Sequence, residues 1–330
     1  MDEPTPESSD GEAARLLEQS REALARGDRL KAIALAREAV ALRQETRGRG
    51  DVATAAAWST LASAYRAAGD GGAAVEAGRR EVAILEGVYG PEHPAVALAV
   101  GDLSASERLR GDLAAARDLA ERALAGLRAA HGEAHAQVAT AWGNLSAVHR
   151  EGGSHEAAVE AARSCYRIRA EVLGTGHAET ATALSNLGSC MAAGGDLAAA
   201  LAHEEEALAI RRGALGERSR EALRSLAGVA VLLRNMGNLS RALEVQREAL
   251  AGQREVLGEA APETVESRRQ IVYMLVRMGQ RAEAQREIAA ALAVLPARHR
   301  LREELSAMRG QLAGVGGGTS GRGKAAGRRR

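Results

Sequence analysis

AETATALSNLGSCMAAGGDLAAALAHEEEALAIRRGALG, residues 178–216, reads as two helices laid back to back. Leu184, Leu187 and Met191 recur at the three- and four-residue spacing of one helix face. Gly195 ends that run, and a second helical segment follows with Ala200 and Ala207 on one side. Gly216 closes it. Glycine stops a helix at such places and lets the chain turn back, often with positive φ.

Set in rows of 42, the whole chain repeats this pattern. One glycine column runs Gly27, Gly69, Gly111, Gly153, Gly195, Gly237, Gly279; the other runs Gly48, Gly90, Gly132, Gly174, Gly216, Gly258. No residue is gained or lost over seven rows. A fixed period of this size marks a solenoid, in which each unit buries its apolar face against its neighbours. Ala32, Ala74, Ala116, Ala158, Ala200, Ala242 and Ala284 form an unbroken alanine column in the second helices. A looser one holds Ala39, Glu81, Ala123, Cys165, Ala207, Ala249 and Ala291. In the first helices Ser20, Ala62, Ser104, Ser146, Gly188, Ala230 and Val272 stand beside Leu61, Leu103, Leu145, Leu187, Val229 and Ile271. Small residues at fixed spots let helices approach to about 8–10 Å, with the large neighbours filling the groove.

Composition agrees with an all-helical interior. Hydrophobic residues make up 46% of the 330, aromatics only 2%, and phenylalanine is absent, so Ala and Leu must fill the core. Both are strong helix formers. A net charge of +1 supplies no strong field for nucleic acid or an anionic membrane. Cys165 and Cys190 make no CxxC pair, which argues against a disulfide framework or a zinc site. The acidic start MDEPTPESSDG is unlike a secretory leader, and no apolar run is long enough to span a membrane. The expectation is a cytoplasmic protein. Lys occurs only at 31 and 324 against abundant Arg, as in a GC-rich bacterial genome.

Four segments follow: a disordered acidic arm over 1–11, seven repeats over 12–296, a capping helix over 297–313, and a disordered Gly/Arg-rich tail over 314–330. The capping helix carries Leu301, Leu305, Met308 and Leu312 on one face, and terminal units of solenoids must cover an exposed end.

The order of large apolar residue, small residue, Gly turn, Ala and Ala resembles the tetratricopeptide repeat, here with longer helices. The linkers Tyr89-Gly90-Pro91-Glu92-His93-Pro94 and Leu173-Gly174-Thr175-Gly176-His177-Ala178, with Leu184-Ser185-Asn186-Leu187-Gly188 after the latter, resemble the repeats of kinesin light chain. The resemblance implies an all-α right-handed superhelix of seven helix pairs plus the capping helix, with the first helices lining a concave groove. It has departures. Glu107 and His149 replace a large apolar or aromatic residue, Gly78, Glu204 and Gln246 replace a second-helix core residue, and Arg268 breaks the column Trp58, Val100, Trp142, Leu184, Leu226. Loose packing is expected in those rows. The long heptad segment that joins kinesin light chain to its motor is missing, so the motor-linked role is not carried over.

Catalytic and metal motifs fare poorly. Gly318–Lys324 fits a GxxxxGK frame, but Ala325 replaces the required hydroxyl and no strand precedes it. His131 and His135 stand four apart, yet His93, His135 and His177 are themselves placed by the repeat, where a helix cap is the simpler role. His203-Glu204-Glu205-Glu206 lacks the second histidine of a zincin and reads as a solvated face. No cysteine or serine has an activating base nearby in the pattern. No enzyme, cofactor or metal is expected. The basic end, Arg322, Lys324 and Arg328–Arg330, lacks aromatic stacking partners and gives no specific nucleic-acid signal.

A polar column is the best binding candidate. Arg66, Arg108, Arg150 and Arg234 recur near the ends of the first helices, with Arg277 one residue displaced and Ala192 interrupting. Six residues before them stand Thr60, Asp102, Asn144, Asn186 and Gly228. The resemblance places such columns on the groove. Arginine suits carboxylates because its planar fork donates two hydrogen bonds at once. Asn144 and Asn186 suit a peptide backbone, since an amide both donates and accepts. The same arginines also fit a plainer role, complementing helix dipoles or pairing with glutamates on the next helix. The expected function is a scaffold or adaptor that binds an acidic peptide or protein segment in the groove. The alternative is a sensor that responds to a signal peptide or small ligand and acts on a partner kinase or transcription factor.

Overall fold

A computed structural model describes residues 6–295 and 300–314. Pro296, the motif-like 318–324 and all of the expected tail but Gly314 lie outside the described residues. Among those described, the protein is all-α, with fifteen helices and no strand. They are α1 (Pro6–Ala25), α2 (Arg29–Thr46), α3 (Val52–Ala68), α4 (Gly71–Tyr89), α5 (Pro94–Arg110), α6 (Leu113–His131), α7 (Ala136–Glu151), α8 (His155–Leu173), α9 (Ala178–Ala193), α10 (Leu197–Leu215), α11 (Arg220–Asn235), α12 (Leu239–Leu257), α13 (Pro262–Arg277), α14 (Arg281–Val294) and α15 (Arg300–Gly314). They fall into two compact units divided between Asp196 and Leu197.

In the first unit each helix from α1 to α9 packs on the next. The odd-numbered helices also touch one another in succession, α1 to α3, α3 to α5, α5 to α7 and α7 to α9. They therefore form the inner wall, and the even-numbered helices form the outer layer. In the second unit α10 packs on α11, the pairs α11/α12 and α13/α14 repeat the arrangement, and α11 touches α13.

The turns follow from the two glycine columns, whose thirteen members are the glycines with positive φ. Gly69 (φ +83°) ends α3, and the next residue, Asp70, donates its N–H to the Tyr65 carbonyl at 3.0 Å. The Asp70 side chain then accepts from the Ala73 N–H at 3.0 Å and opens α4. One Gly-Asp pair thus caps a helix at each side of the turn. Gly90 (φ +84°) ends α4, and His93 caps α5 by accepting the Ala95 N–H on Nδ1 at 3.2 Å. Pro94 takes the first helical position, where its missing N–H costs nothing.

The alanine column is the floor of every repeat: all seven members are fully buried. In three rows a first-helix serine reaches it. Ser20, Ser104 and Ser146 donate to the carbonyls of Ala32 (2.8 Å), Ala116 (2.6 Å) and Ala158 (3.0 Å). The small column therefore does more than make room; in those rows it ties the two helices of a repeat together, each bond worth about 1 kcal/mol. Leu61, Leu103, Leu145, Leu187, Val229 and Ile271 are all buried beside it.

The departures from the repeat pattern do not loosen the packing as expected. Glu107 is buried but pairs with Arg79 at 3.0 Å and Arg110 at 2.6 Å. Buried Arg268 pairs with Glu287 at 2.9 Å and Glu259 at 2.5 Å. Gln246 donates to Ser267 Oγ at 2.8 Å. Gly78 makes room for Leu103, whose Cδ1 would lie 3.1 Å from an added Cβ. Glu107, Arg268 and Gln246 each arrive with a polar partner.

The N-terminal boundary also differs. α1 begins at Pro6, within the segment read from composition as a disordered arm. Ser9 is buried, and Asp10 hydrogen-bonds Arg43 and lies 2.8 Å from Arg47, so α2 neutralises the acid that composition scores as solvating. At the other end α15 buries Leu305 against Val272, Ile288 and Leu292, as a cap on the α13/α14 pair.

Candidate binding groove

The inner wall of the first unit carries an open cavity of about 620 Å³. Its polar lining is Arg21 from α1, Ser59, Thr60 and Ser63 from α3, Glu81 from α4, Asp102 from α5, and Gln137, Thr140 and Asn144 from α7. Leu24, Val52, Leu85, Leu98 and Leu127 supply the apolar walls. The register is set by the repeat: residues 60, 102 and 144 occupy one position on successive first helices, so hydroxyl, carboxylate and amide follow each other along the wall.

Residues 81, 123 and 165 of the second helices lie behind that wall. A Cβ added at Gly101 would sit 3.5 Å from Ala123 Cβ, and one at Gly143 would sit 3.6 Å from Cys165 Sγ. In the preceding repeat the corresponding pair is Ser59 and Glu81. Glu81 is only 7% exposed and lines the cavity. Burial pushes its carboxyl up to about 7, against a hydrogen bond from Ser59; Asp102 adds to the rise and Arg66 opposes it.

The arginine column is largely committed inside the scaffold. Arg66 donates to Ser63 Oγ at 2.9 Å, to the Asp102 carbonyl at 3.2 Å and to Ser106 Oγ at 3.3 Å, and lies 3.6 Å from the Asp102 carboxylate. Arg108 hydrogen-bonds Glu151, while Arg150 stands 3.9 Å from the same carboxylate. In the second unit Arg234 reaches from α11 to Gln270 on α13 and stacks 5.5 Å from the Tyr273 ring centre. Arg277 donates to the Tyr273 hydroxyl at 3.3 Å, and that bond lowers the phenol below its ordinary value. Arg66, Arg108 and Arg234 thus bridge one first helix to the next. Asn144 lines the cavity and donates to the Gly101 carbonyl at 3.4 Å; Asn186 is exposed on α9.

The second unit has its own smaller cavity of about 390 Å³, between α11, α12 and α13. Arg220, Arg224, Glu263 and Gln253 line it. Burial works against ionisation of Glu263, but hydrogen bonding led by Arg220 prevails and holds the carboxyl below its usual range.

The repeat-placed histidines are helix caps. His93, His135 and His177 each accept a backbone N–H on Nδ1, at 3.2, 3.2 and 3.1 Å. His131 stacks on His135 with centroids 4.2 Å apart. No group of three or more metal-ligating side chains occurs among the described residues. Nor is any described helix long and apolar enough to cross a membrane.

Glu81, and its place opposite Ser59, is what sequence reasoning missed. The signal was present as the one acid in a column of alanine and cysteine. What periodicity alone did not supply was that Glu81 faces a cavity.

The tetratricopeptide repeat model matches residues 56–129, 96–171 and 137–213, and a second model of the same repeat matches 222–263. No curated protein sequence matches the chain. Among solved structures, a putative kinesin light chain with nearly identical TPR-like repeats from Podosopora anserina superposes with a TM-score of 0.54 at 22% identity, over 61% of this chain and 95% of that one. The apo form of RapI gives 0.62 at 12% identity, over 92% and 81%. A signal transduction ATPase with a tetratricopeptide repeat sensor from Pyrococcus horikoshii gives 0.60 at 14% identity, over 90% of this chain but 44% of that one. At these identities the likeness is one of fold. With the repeat matched over more than half its length and stacked helix pairs in each unit, this chain belongs to the tetratricopeptide repeat family.

Proposed function

We propose that the protein is a scaffold that binds an extended segment of another protein against the inner wall of its first helices. The cavity along α3, α5 and α7 carries this reading, because it combines apolar walls with hydrogen-bonding side chains at repeat spacing. A peptide strand needs both: partners for its backbone and pockets for its side chains. The scaffold is already ordered by its helix-to-helix bonds, so little ordering remains to oppose binding.

Acidic residues in the guest meet Arg108 and Arg150. Two guanidinium groups there share the single carboxylate of Glu151, which leaves one positive charge without a local counterpart. Arg66 is already spent on Asp102 and Ser106 and contributes less.

Acidic and neutral random-sequence peptide mixtures, titrated against the protein and its Arg108→Ala/Arg150→Ala double variant, test both levels. Tighter binding of the acidic mixture that vanishes in the variant supports the acidic guest. Equal binding of the two mixtures removes it and leaves the scaffold reading. No binding of either removes both.

A further inference from the structure

Glu81 is the one acid in a column otherwise made of Ala39, Ala123, Cys165, Ala207, Ala249 and Ala291. Alanine at that place packs well in the other repeats, so the helices do not need the carboxyl. It is 93% buried by the complement of its 7% exposure, and it lines the inner-wall cavity. Among the described residues no basic side chain lies within ion-pair distance of it. A buried carboxylate without a counter-charge is costly, and its usual resolution is to take up a proton or a cation. Burial has already pushed this carboxyl up to about 7.

Glu81 and Asp102 line the cavity, and Arg66 lies 3.6 Å from the Asp102 carboxylate while its charge also acts on Glu81. With Glu81 ionised, two carboxylates stand there against that one guanidinium. Arg21, at the rim, is engaged with Glu18 at 3.1 Å. The walls are Leu24, Val52, Leu85, Leu98 and Leu127. Apolar walls beside a buried carboxyl match a side chain with an aliphatic stem and a compact cationic head. An ammonium has three donors, and the lining offers the buried carboxyl of Glu81, the half-exposed carboxylate of Asp102 and the hydroxyls of Ser59 and Thr60.

We propose that this cavity is an anchor for a lysine side chain of the docked segment, its stem against the leucines and its ammonium on the carboxylates of Glu81 and Asp102. The inference rests on the inner-wall reading above and adds the residue that fixes the register of the guest. Together with the excess positive charge at Arg108 and Arg150, it describes a guest of mixed charge rather than a uniformly acidic one.

The test uses the full chain and two probes. First, the carboxyl carbon of Glu81 is followed by NMR while n-pentylammonium or n-pentanol is added. The ammonium is expected to move the resonance and the alcohol to leave it; identical responses, or none, overturn the anchor. Second, random peptide mixtures with a fixed central lysine or norleucine are compared. The lysine mixture is expected to bind about tenfold tighter, the range of one hydrogen bond to a charged group. That preference is expected to vanish in Glu81→Gln and in Glu81→Ala, both checked for folding by thermal melting; the alanine variant restores the residue of five other rows. Equal binding of both mixtures, or a preference that survives in a folded variant, overturns the anchor while leaving the inner-wall reading in place. A response to pentylammonium with no binding of either peptide mixture supports the anchor and overturns the inner-wall reading.

Discussion

At the scale of single residues, the informative positions are those that break the repeat. Glu81 should make stability depend on pH in a direction unlike an ordinary surface glutamate. Its carboxyl is raised from 4.5 to about 7 in the folded protein, so the folded state holds the proton more tightly. The stabilisation is complete below pH 4.5 and is lost as the pH rises through about 7. Relative to Glu81→Gln, the wild type should lose about 3 kcal/mol across that window, read as a shift in urea midpoints. A difference that stays flat would show that Glu81 is solvated. Gly69 makes the opposite point, since it keeps the repeat and is needed for its backbone. At φ +83° with nothing near its missing Cβ, Gly69→Ala meets strain alone and should cost about 1–2 kcal/mol in chemical denaturation. The glycine columns were legible in the sequence because φ depends only on the local turn. The state of Glu81 was not, because it depends on which groups the fold gathers around it.

At the scale of helices, capping and close approach set the boundaries. The first helices α5, α7 and α9 begin at His93, His135 and His177, each caught on Nδ1 by a backbone N–H. His135→Ala should cost about 1 kcal/mol in thermal or urea unfolding, as for other lost N-caps. His135→Asp should restore it, because Asp51 caps α3 in the same way. Gly71 tests helix approach. A Cβ there would lie 2.5 Å from the Arg110 backbone nitrogen, so α4 and the end of α5 must separate. Gly71→Ala should cost about 1–3 kcal/mol, and faster amide exchange near Arg110 would locate the damage. Helix positions were readable almost to the residue, as with α7 and α9, because periodicity and turn glycines agree. The start of α1 was not. Asp10 finds Arg43 and Arg47 more than thirty residues away, and composition does not register such a pairing.

At the scale of the molecule, the proposed binding surface is the wall that the first helices of the first unit share. The arginine column was visible as a column, but its employment was not. Whether Arg66 faces a guest or the next helix depends on Asp102 and Ser106, which lie a full repeat further along. If Arg108 and Arg150 hold acidic residues, binding of acidic peptides should weaken with salt, and the double alanine variant should flatten that dependence. The most direct measurement is photo-crosslinking with a benzophenone side chain at Thr140, on the inner wall, or at Arg117, exposed on the outer helix α6. Presented with random-sequence peptides, the Thr140 probe should capture peptide and the Arg117 probe should not. Capture at Arg117 with none at Thr140 would contradict the account.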